Sequence, residues 1–147
     1  MTSRLLILAS VAVLLLTPSL GQARSSRTMD IKVVSVLSGY SRSTTSLRMT
    51  DKLYNLVPQF GKPKGALVGS DSGTLKKTGT ISFSFRGLAR LPGGTLNVRG
   101  QVIGGERVSN LTIAGGTGRF AGARGVVVIR GMAGQGRASN IFHLTLR

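Results

Sequence analysis

The carboxylates are the first residues of this chain to consider for chemistry, because paired acids can donate and accept protons. The 147 residues include only four acids: Asp30, Asp51, Asp71 and Glu106. No spacing among them predicts that two are brought together. Asp71 stands out because it lies between Gly69 and Gly73 in a predicted strand, where a carboxylate is disfavoured. Two interpretations stay open: Asp71 faces water or pairs with an arginine, or it serves a pocket. Glu106 is predicted to lie in a surface turn.

The remaining reactive side chains do not form a recognisable catalytic set. His143 is the only histidine and the chain has no cysteine, which argues against a metal site. Alternation predicts that His143 faces away from Phe142 and Leu144, as an outward strand residue; if the two faces are reversed, it becomes a pocket proton donor. Serines are common, but no Gly-x-Ser-x-Gly elbow is present. We therefore assign no catalytic residue, no cofactor and no metal from the sequence.

A glycine-rich stretch, Ala114 to Gly125, organises the second half of the chain. Its five glycines disfavour a helix, because each costs about 1 kcal/mol relative to alanine in a helix interior. The β-branched runs on both sides, ending at Ile113 and starting at Val126, predict a strand, a tight loop and another strand. The pattern Gly-x-Gly-x-x-Gly would indicate a dinucleotide site only if a helix followed. A valine-rich strand follows instead.

Alternation of apolar and polar residues predicts about eight strands in the chain after residue 30. The clearest case places Ile81, Phe83 and Phe85 on one face and the intervening serines on the other. The predicted strands occupy residues 31–37, 47–54, 66–75, 80–86, 96–102, 108–114, 126–130 and 139–146. No helical pattern appears between them, and turn residues separate them. Regularly spaced antiparallel strands with one apolar face predict a sandwich or a closed barrel, and periodicity does not choose between the two.

The glycine stretch resembles the signature loop of the barrel superfamily that includes dirigent proteins, allene oxide cyclases and bacterial relatives. The residues that carry the resemblance are Gly115, Gly116, Thr117, Gly118, Phe120, Gly122, Ala123 and Gly125. The upstream run Leu91 to Leu96 is also similar to the bacterial branch. The resemblance implies a single eight-stranded antiparallel β-barrel of lipocalin-like shape, whose interior is filled by side chains or holds one small ligand. It also implies a homotrimer.

The resemblance implies a binding function as well. Such proteins hold a reactive hydrophobic substrate in one conformation and steer a cyclisation or coupling, so they need little acid–base machinery. Whether this chain is an enzyme stays open. The candidate ligand-binding residues are Asp71, Phe83, Phe85, Val98, Leu111, Ile113, Arg124 and Phe142. Arg124 could pair with Asp71, hold a ligand carboxylate, or lie exposed in its loop. Simple core packing is the alternative for the phenylalanines, Phe120 included.

The N-terminal sequence predicts that the protein is exported. Arg4 precedes twelve uncharged residues, Leu5 to Leu16, and small residues lie at Gly21 and Ala23. This arrangement is typical of a secretory signal peptide at residues 1–23, and the run is shorter than the about 20 apolar residues of a membrane helix. We expect a short disordered lead at 24–30, a barrel domain at 31–147, and a periplasmic or extracellular location. An uncleaved N-terminal anchor is the alternative. Without cysteine, no disulfide can stabilise the fold.

The charge balance suggests a second class of function. Loss of the signal peptide with Arg4 leaves a net charge of +15 from the +16 of the full chain. Such a charge favours association with anionic polymers or surfaces. However, the basic residues are dispersed, aromatic residues are few, and no nucleic-acid-binding signature is present. The alternative to a ligand-binding barrel is therefore a non-enzymatic basic envelope protein that binds anionic polymers through its exterior.

Overall fold

The computed structural model describes residues 25–56, 65–132 and 136–147. The predicted signal peptide and most of the predicted loop at 55–65 lie outside these residues. Eight strands and one 3-10 turn make up the described fold: β1 Arg27–Arg42, β2 Ser46–Asn55, β3 Leu67–Lys77, β4 Ser82–Leu91, β5 Gly94–Ile103, β6 Val108–Gly116, η1 Gly118–Phe120, β7 Arg124–Met132 and β8 Arg137–Leu146. Within these ranges, no helix is long and apolar enough to cross a membrane.

The strands form one closed antiparallel barrel in which each strand pairs with its neighbours in the sequence and β8 pairs with β1. Closure is visible at Val33, which pairs with Asn55 of β2 on one side and with Asn140 of β8 on the other. The predicted eight-stranded barrel is therefore confirmed, and the sandwich is excluded. Full closure leaves no sheet edge in need of protection.

β1 is longer at both ends than alternation predicted. Arg27 to Asp30, assigned from sequence to a disordered lead, pair with Leu146 to His143 of β8. At the other end, Ser41 and Arg42 continue the strand into what was predicted as a loop. All of these residues except Met29 are polar, so their sequence carries no apolar alternation, and pairing with neighbouring strands decides their structure. A register shift between Leu37 and Gly39 changes which β1 residues face inward.

The core packs inside the barrel. Its fully buried side chains come from five strands and the turn η1, and the largest are Phe120, Leu53, Leu96, Leu111, Ile113, Val33 and Val127. Inward positions follow the predicted alternation in β4 and β5, where Phe83 and Phe85 face the same side as Val98 and Val102. Ile81 is an exception to the prediction: it precedes β4 and is 56% exposed.

The glycine-rich loop closes one end of the barrel. Gly118–Phe120 form the turn η1, and the Phe120 ring is 1% exposed within the core. The loop is held against the β4–β5 turn: Arg119 N–H donates to the Gly93 carbonyl at 2.8 Å, and Thr117 N–H donates to the Thr95 carbonyl at 2.9 Å. The two segments that carry the family resemblance are thus in direct contact. Together they position Phe120 as a plug.

Candidate functional site

The open end of the barrel, opposite the Phe120 plug, holds a cavity of about 570 Å³. This volume falls within the range of small-molecule sites. The cavity lies between the β1–β2 and β3–β4 turns, and its lining consists of Leu37, Tyr40, Arg42, Ser43, Thr44, Thr45, Ser46, Leu47, Met49, Leu75, Lys77, Thr80 and Phe83. Its wall is apolar, and its outer part is hydroxyl-rich and basic. The exposed apolar side chains of Leu37 and Tyr40, 41% and 71% exposed, belong to this opening.

Two carboxylates lie deeper in the barrel. Asp51 of β2 and Asp71 of β3 are direct cross-strand partners. Their side chains share the inward face. Met49, Asp51 and the buried Leu53 are alternate residues of β2, and alternate residues of a strand point to the same side. Directly opposed residues of an antiparallel pair have Cβ atoms about 5 Å apart. The fold therefore assembles an acid pair one inward position below the cavity wall at Met49.

Both members of the pair hold protons more tightly than an exposed aspartate. Burial, followed by the negative charge of Asp51, raises the pKa of Asp71 to about 7 from its usual 3.8. Burial also raises the pKa of Asp51. Two desolvated carboxyls at this separation resist simultaneous ionisation, so one proton is retained near neutral pH. A protonated and an ionised carboxyl side by side can act as general acid and general base.

A second, smaller void of about 30 Å³ adjoins Asp71. It is lined by Asp71, Ser72, Phe85, Gly87, Leu88, Ala89, Val98, Val127, Ile129, Asn140 and Phe142. The space suffices for one or two water molecules. Asn140 is 4% exposed, and its Oδ1, like Oδ1 of Asp51, is a buried oxygen without a hydrogen-bond partner among the described residues. These two oxygens are free to accept hydrogen bonds from a ligand or from water.

A pair of glycines makes room for an aromatic ring beside the acids. Gly73 of β3 and Gly87 of β4 are cross-strand partners on the inward face. A Cβ at Gly73 would lie 2.5 Å from the Phe85 ring, and one at Gly87 would lie 2.6 Å from it. The ring thus lies directly against the backbone of both glycines. Substitution of either glycine would push Phe85 into the interior.

The predicted ligand-binding residues fall into four places. Phe83 lines the large cavity, whereas Asp71, Phe85, Val98 and Phe142 line the small void. Leu111 and Ile113 are buried in the core. Arg124 lies apart from all of them, exposed at the plugged end, where its guanidinium donates to the backbone carbonyls of Ala114 at 2.8 Å and Ala123 at 3.0 Å. The suggested ion pair between Arg124 and Asp71 is not formed.

His143 faces outward, as alternation predicted. Its Nδ1 lies 2.8 Å from Oδ1 of Asp30, and both side chains are about half exposed. The interpretation of His143 as a pocket proton donor is therefore wrong for this fold. The described residues contain no group of three or more histidines, cysteines, aspartates or glutamates close enough to hold a metal ion.

Sequence reasoning missed four polar residues on the inward face: Asp51 and Asn140 within the barrel, and Arg42 and Lys77 at its exposed rim. A signal for Asp51 was present, because alternation along β2 puts it on the same face as the apolar residues Leu47, Met49 and Leu53. Asn140 likewise lies on the same face of β8 as Phe142 and Leu144, because the three are alternate residues of the strand. No such signal existed for Arg42, since the register shift after Leu37 exchanges the inward and outward positions of β1.

These features define the class of the protein: a closed eight-stranded barrel, plugged at one end, with a ligand-sized cavity at the other and an acid pair beneath it. A family model for dirigent-like proteins matches residues 38–147, so the chain belongs to the dirigent-like family. The search of curated proteins finds no match.

Solved structures with the same fold include several proteins of low sequence identity. A pterocarpan synthase dirigent protein is 17% identical with a TM-score of 0.68, covering 88% of this chain and 94% of its own. A pyocyanin demethylase is 16% identical with a TM-score of 0.62, covering 79% and 99%. A nonspecific heme-binding cyclase, which catalyses a cycloaddition during neoabyssomicin biosynthesis, is 18% identical with a TM-score of 0.60, covering 86% and 65%. At these identities the likeness establishes the fold alone.

Proposed function

We propose that this barrel binds a small hydrophobic molecule in its open end and steers a cyclisation or coupling of it. The observation that carries the proposal is the apolar cavity of about 570 Å³ above the Asp51–Asp71 pair. An apolar wall holds the substrate in one folded conformation, which can supply much of the barrier reduction for an intramolecular reaction. The family and the cyclase and synthase among its structural neighbours support this reaction class.

The acid pair gives such a reaction a proton donor and acceptor. With its pKa raised to about 7, Asp71 is poised to exchange a proton near neutral pH. The low local dielectric strengthens its interaction with charge that develops on the substrate. In this scheme the cavity sets the conformation, and the acids accelerate the steps that require proton transfer.

Retention of apolar compounds tests the binding step. The purified barrel is incubated with a mixture of apolar extracts, and retained molecules are identified by native mass spectrometry. Leu75→Trp, which narrows the cavity, should weaken retention, whereas Thr74→Trp, its outward neighbour on β3, should leave it intact. Retention that is equal in the two variants, or absent from the unmodified protein, would refute the proposal.

Turnover of a retained compound then tests the acid pair. Asp71→Asn should preserve binding but lower conversion by about 100-fold, the usual contribution of general acid–base catalysis. Asp30→Asn removes a carboxylate from the outer surface and is the matched control. Equal conversion in both variants would leave the barrel as a binding protein or a purely conformational guide.

The exterior supports a second candidate function, the binding of an anionic polymer. Arg86 of β4 and Arg99 of β5 are exposed cross-strand partners on the outer face. Like charges placed directly opposite each other destabilise a sheet, and an anionic partner would relieve this. None of the four acids lies on the outer face of β2–β5, since Asp51 and Asp71 face inward, Asp30 lies on β1, and Glu106 lies in the β5–β6 turn.

Heparin retention tests this candidate. Elution should require less salt after Arg86→Gln combined with Arg99→Gln than after Arg130→Gln combined with Arg137→Gln, which removes the same charge from β7 and β8. Identical elution of the two double variants would show that only net charge matters and would argue against a specific surface.

A further inference from the structure

The cavity rim is basic although its wall is apolar. Arg42 of β1 and Lys77 of β3 are the only charged residues among those described as lining the cavity. None of these lining residues is acidic, and Glu106, in the β5–β6 turn at the same end, is not among them. The rim therefore carries two positive charges above an apolar cavity wall. A cleft lined by charges of one sign, with walls of low dielectric, concentrates ions of the opposite sign.

The register assigns both cations to the inward face. Arg42 pairs with Leu47, and Leu47 pairs with Leu75, so the three residues form one inward row across β1, β2 and β3. Lys77 is the next inward residue of β3 beyond Leu75, and it pairs with the cavity residue Phe83. By contrast, Lys76 lies next to Lys77 on β3 and Arg48 lies next to Leu47 on β2, so both occupy outward positions. The distinction between inward and outward cations is thus set by backbone pairing.

The β1–β2 turn connects the two cations. Lys77 N–H donates to the Thr45 carbonyl at 2.9 Å, which holds the end of β3 against this turn. Arg42 and Lys77 are two strand spacings apart and offset by two residues along the strands, about 12 Å in all, a gap that their long side chains can bridge toward one bound group. Thr44, Thr45 and Thr80 add hydroxyl donors to the same rim. Such a set of cations and hydroxyls suits a carboxylate, sulfonate or phosphate.

We propose that Arg42 and Lys77 select ligands that are amphipathic anions: an apolar body in the cavity with one acidic group held at the rim. This inference rests on the proposed function, because it specifies the ligand of the same cavity. Lys77 lies six residues from Asp71 along β3, about 20 Å of strand. The acidic group is therefore held far from the acid pair, and the part of the ligand near Asp71 is uncharged.

Two fluorescent probes that share one aromatic body test the proposal. 1-Anilinonaphthalene-8-sulfonate carries a sulfonate, whereas N-phenyl-1-naphthylamine lacks it. We expect the sulfonate probe to bind to the purified protein more tightly than the neutral probe. Arg42→Gln and Lys77→Gln should each lower the affinity for the sulfonate probe by about fivefold, as expected for a solvent-exposed ion pair. Binding of the neutral probe should not change. Added salt should weaken binding of the sulfonate probe only.

Outward variants of equal charge serve as controls. Lys76→Gln and Arg48→Gln remove the same charge next to the rim without altering the cavity lining, and circular dichroism of thermal unfolding verifies that all four variants are folded. Equal weakening by inward and outward substitutions would overturn the proposal, since it would reveal a general effect of surface charge. So would equal affinity for the two probes. Failure of both probes to bind would instead remove the lumen binding function itself. Decanoate and decyl sulfate as competitors distinguish a preference for carboxylate from one for sulfate.

Discussion

Asp51 and Asp71 face each other across β2 and β3 inside the barrel, and Asp71 lies among side chains that are mainly apolar. The negative charge of Asp51 raises the proton affinity of Asp71, in addition to the larger effect of burial. An arrangement that a stable core alone would not require is a sign of a functional site. The acid pair is therefore the feature that links the stability of this barrel to its proposed chemistry.

The first prediction concerns the pH dependence of stability. Between about pH 4 and pH 7, folded Asp71 retains a proton that the unfolded chain has released, because its pKa is about 7 in the fold against the usual 3.8. The free energy of unfolding should therefore fall as the pH rises through this window and level off above it. Asp71→Asn should flatten the decline, so that the variant is the more stable protein at pH 8. Thermal unfolding at pH 5, 6, 7 and 8 measures this, with the exposed Glu106→Gln as control. A variant that follows the parent at every pH would contradict it.

The second prediction concerns the plug. Phe120 is 1% exposed, so Phe120→Ala should lower the free energy of unfolding by about 3–5 kcal/mol, the usual range for a buried aromatic. Phe83→Ala should lower it less, because Phe83 is half-buried against an open cavity. Chemical denaturation of the two variants makes the comparison. Equal losses would mean that the glycine loop does not carry the core contact assigned to it.

The third prediction separates backbone strain from steric overlap in the same loop. Gly118 and Gly122 both have left-handed φ values, +58° and +74°. A Cβ at Gly118 would collide with the carbonyl oxygen of Gly93, whereas one at Gly122 would meet nothing within 4 Å. Gly122→Ala should therefore cost about 1 kcal/mol, from the left-handed conformation alone. Gly118→Ala should cost more and loosen the contact with the β4–β5 turn. Denaturation midpoints and amide exchange at Arg119 report the two effects, and an equal cost at both sites would contradict the docking.

The fourth prediction concerns His143. Its partner is Asp30 on the outer surface, and an exposed pair of this kind is worth at most about 1 kcal/mol. His143→Gln should leave ligand retention and conversion unchanged and alter the melting temperature by only a few degrees. A loss of ligand binding would show that the cavity is not the site proposed here.

Much of the strand content was predictable because it depends on local patterns. Alternation placed Phe83 and Phe85 on one face of β4, and the outward position of His143 followed from its neighbours. The glycine spacing predicted a tight loop, and φ values of +58° and +74° at Gly118 and Gly122 are the physical reason. Export, the oligomeric state and the location of the protein stay predictions.

The site required the tertiary structure. The sequence determined by itself which residues alternate and where the chain turns, because side-chain direction in a strand has a period of two. It could not determine which residues from distant strands meet, since this depends on register and closure. Pairing alone placed Asp51 opposite Asp71, and the shift after Leu37 alone turned Arg42 toward the cavity. The acid pair and the basic rim are products of strand pairing across the barrel.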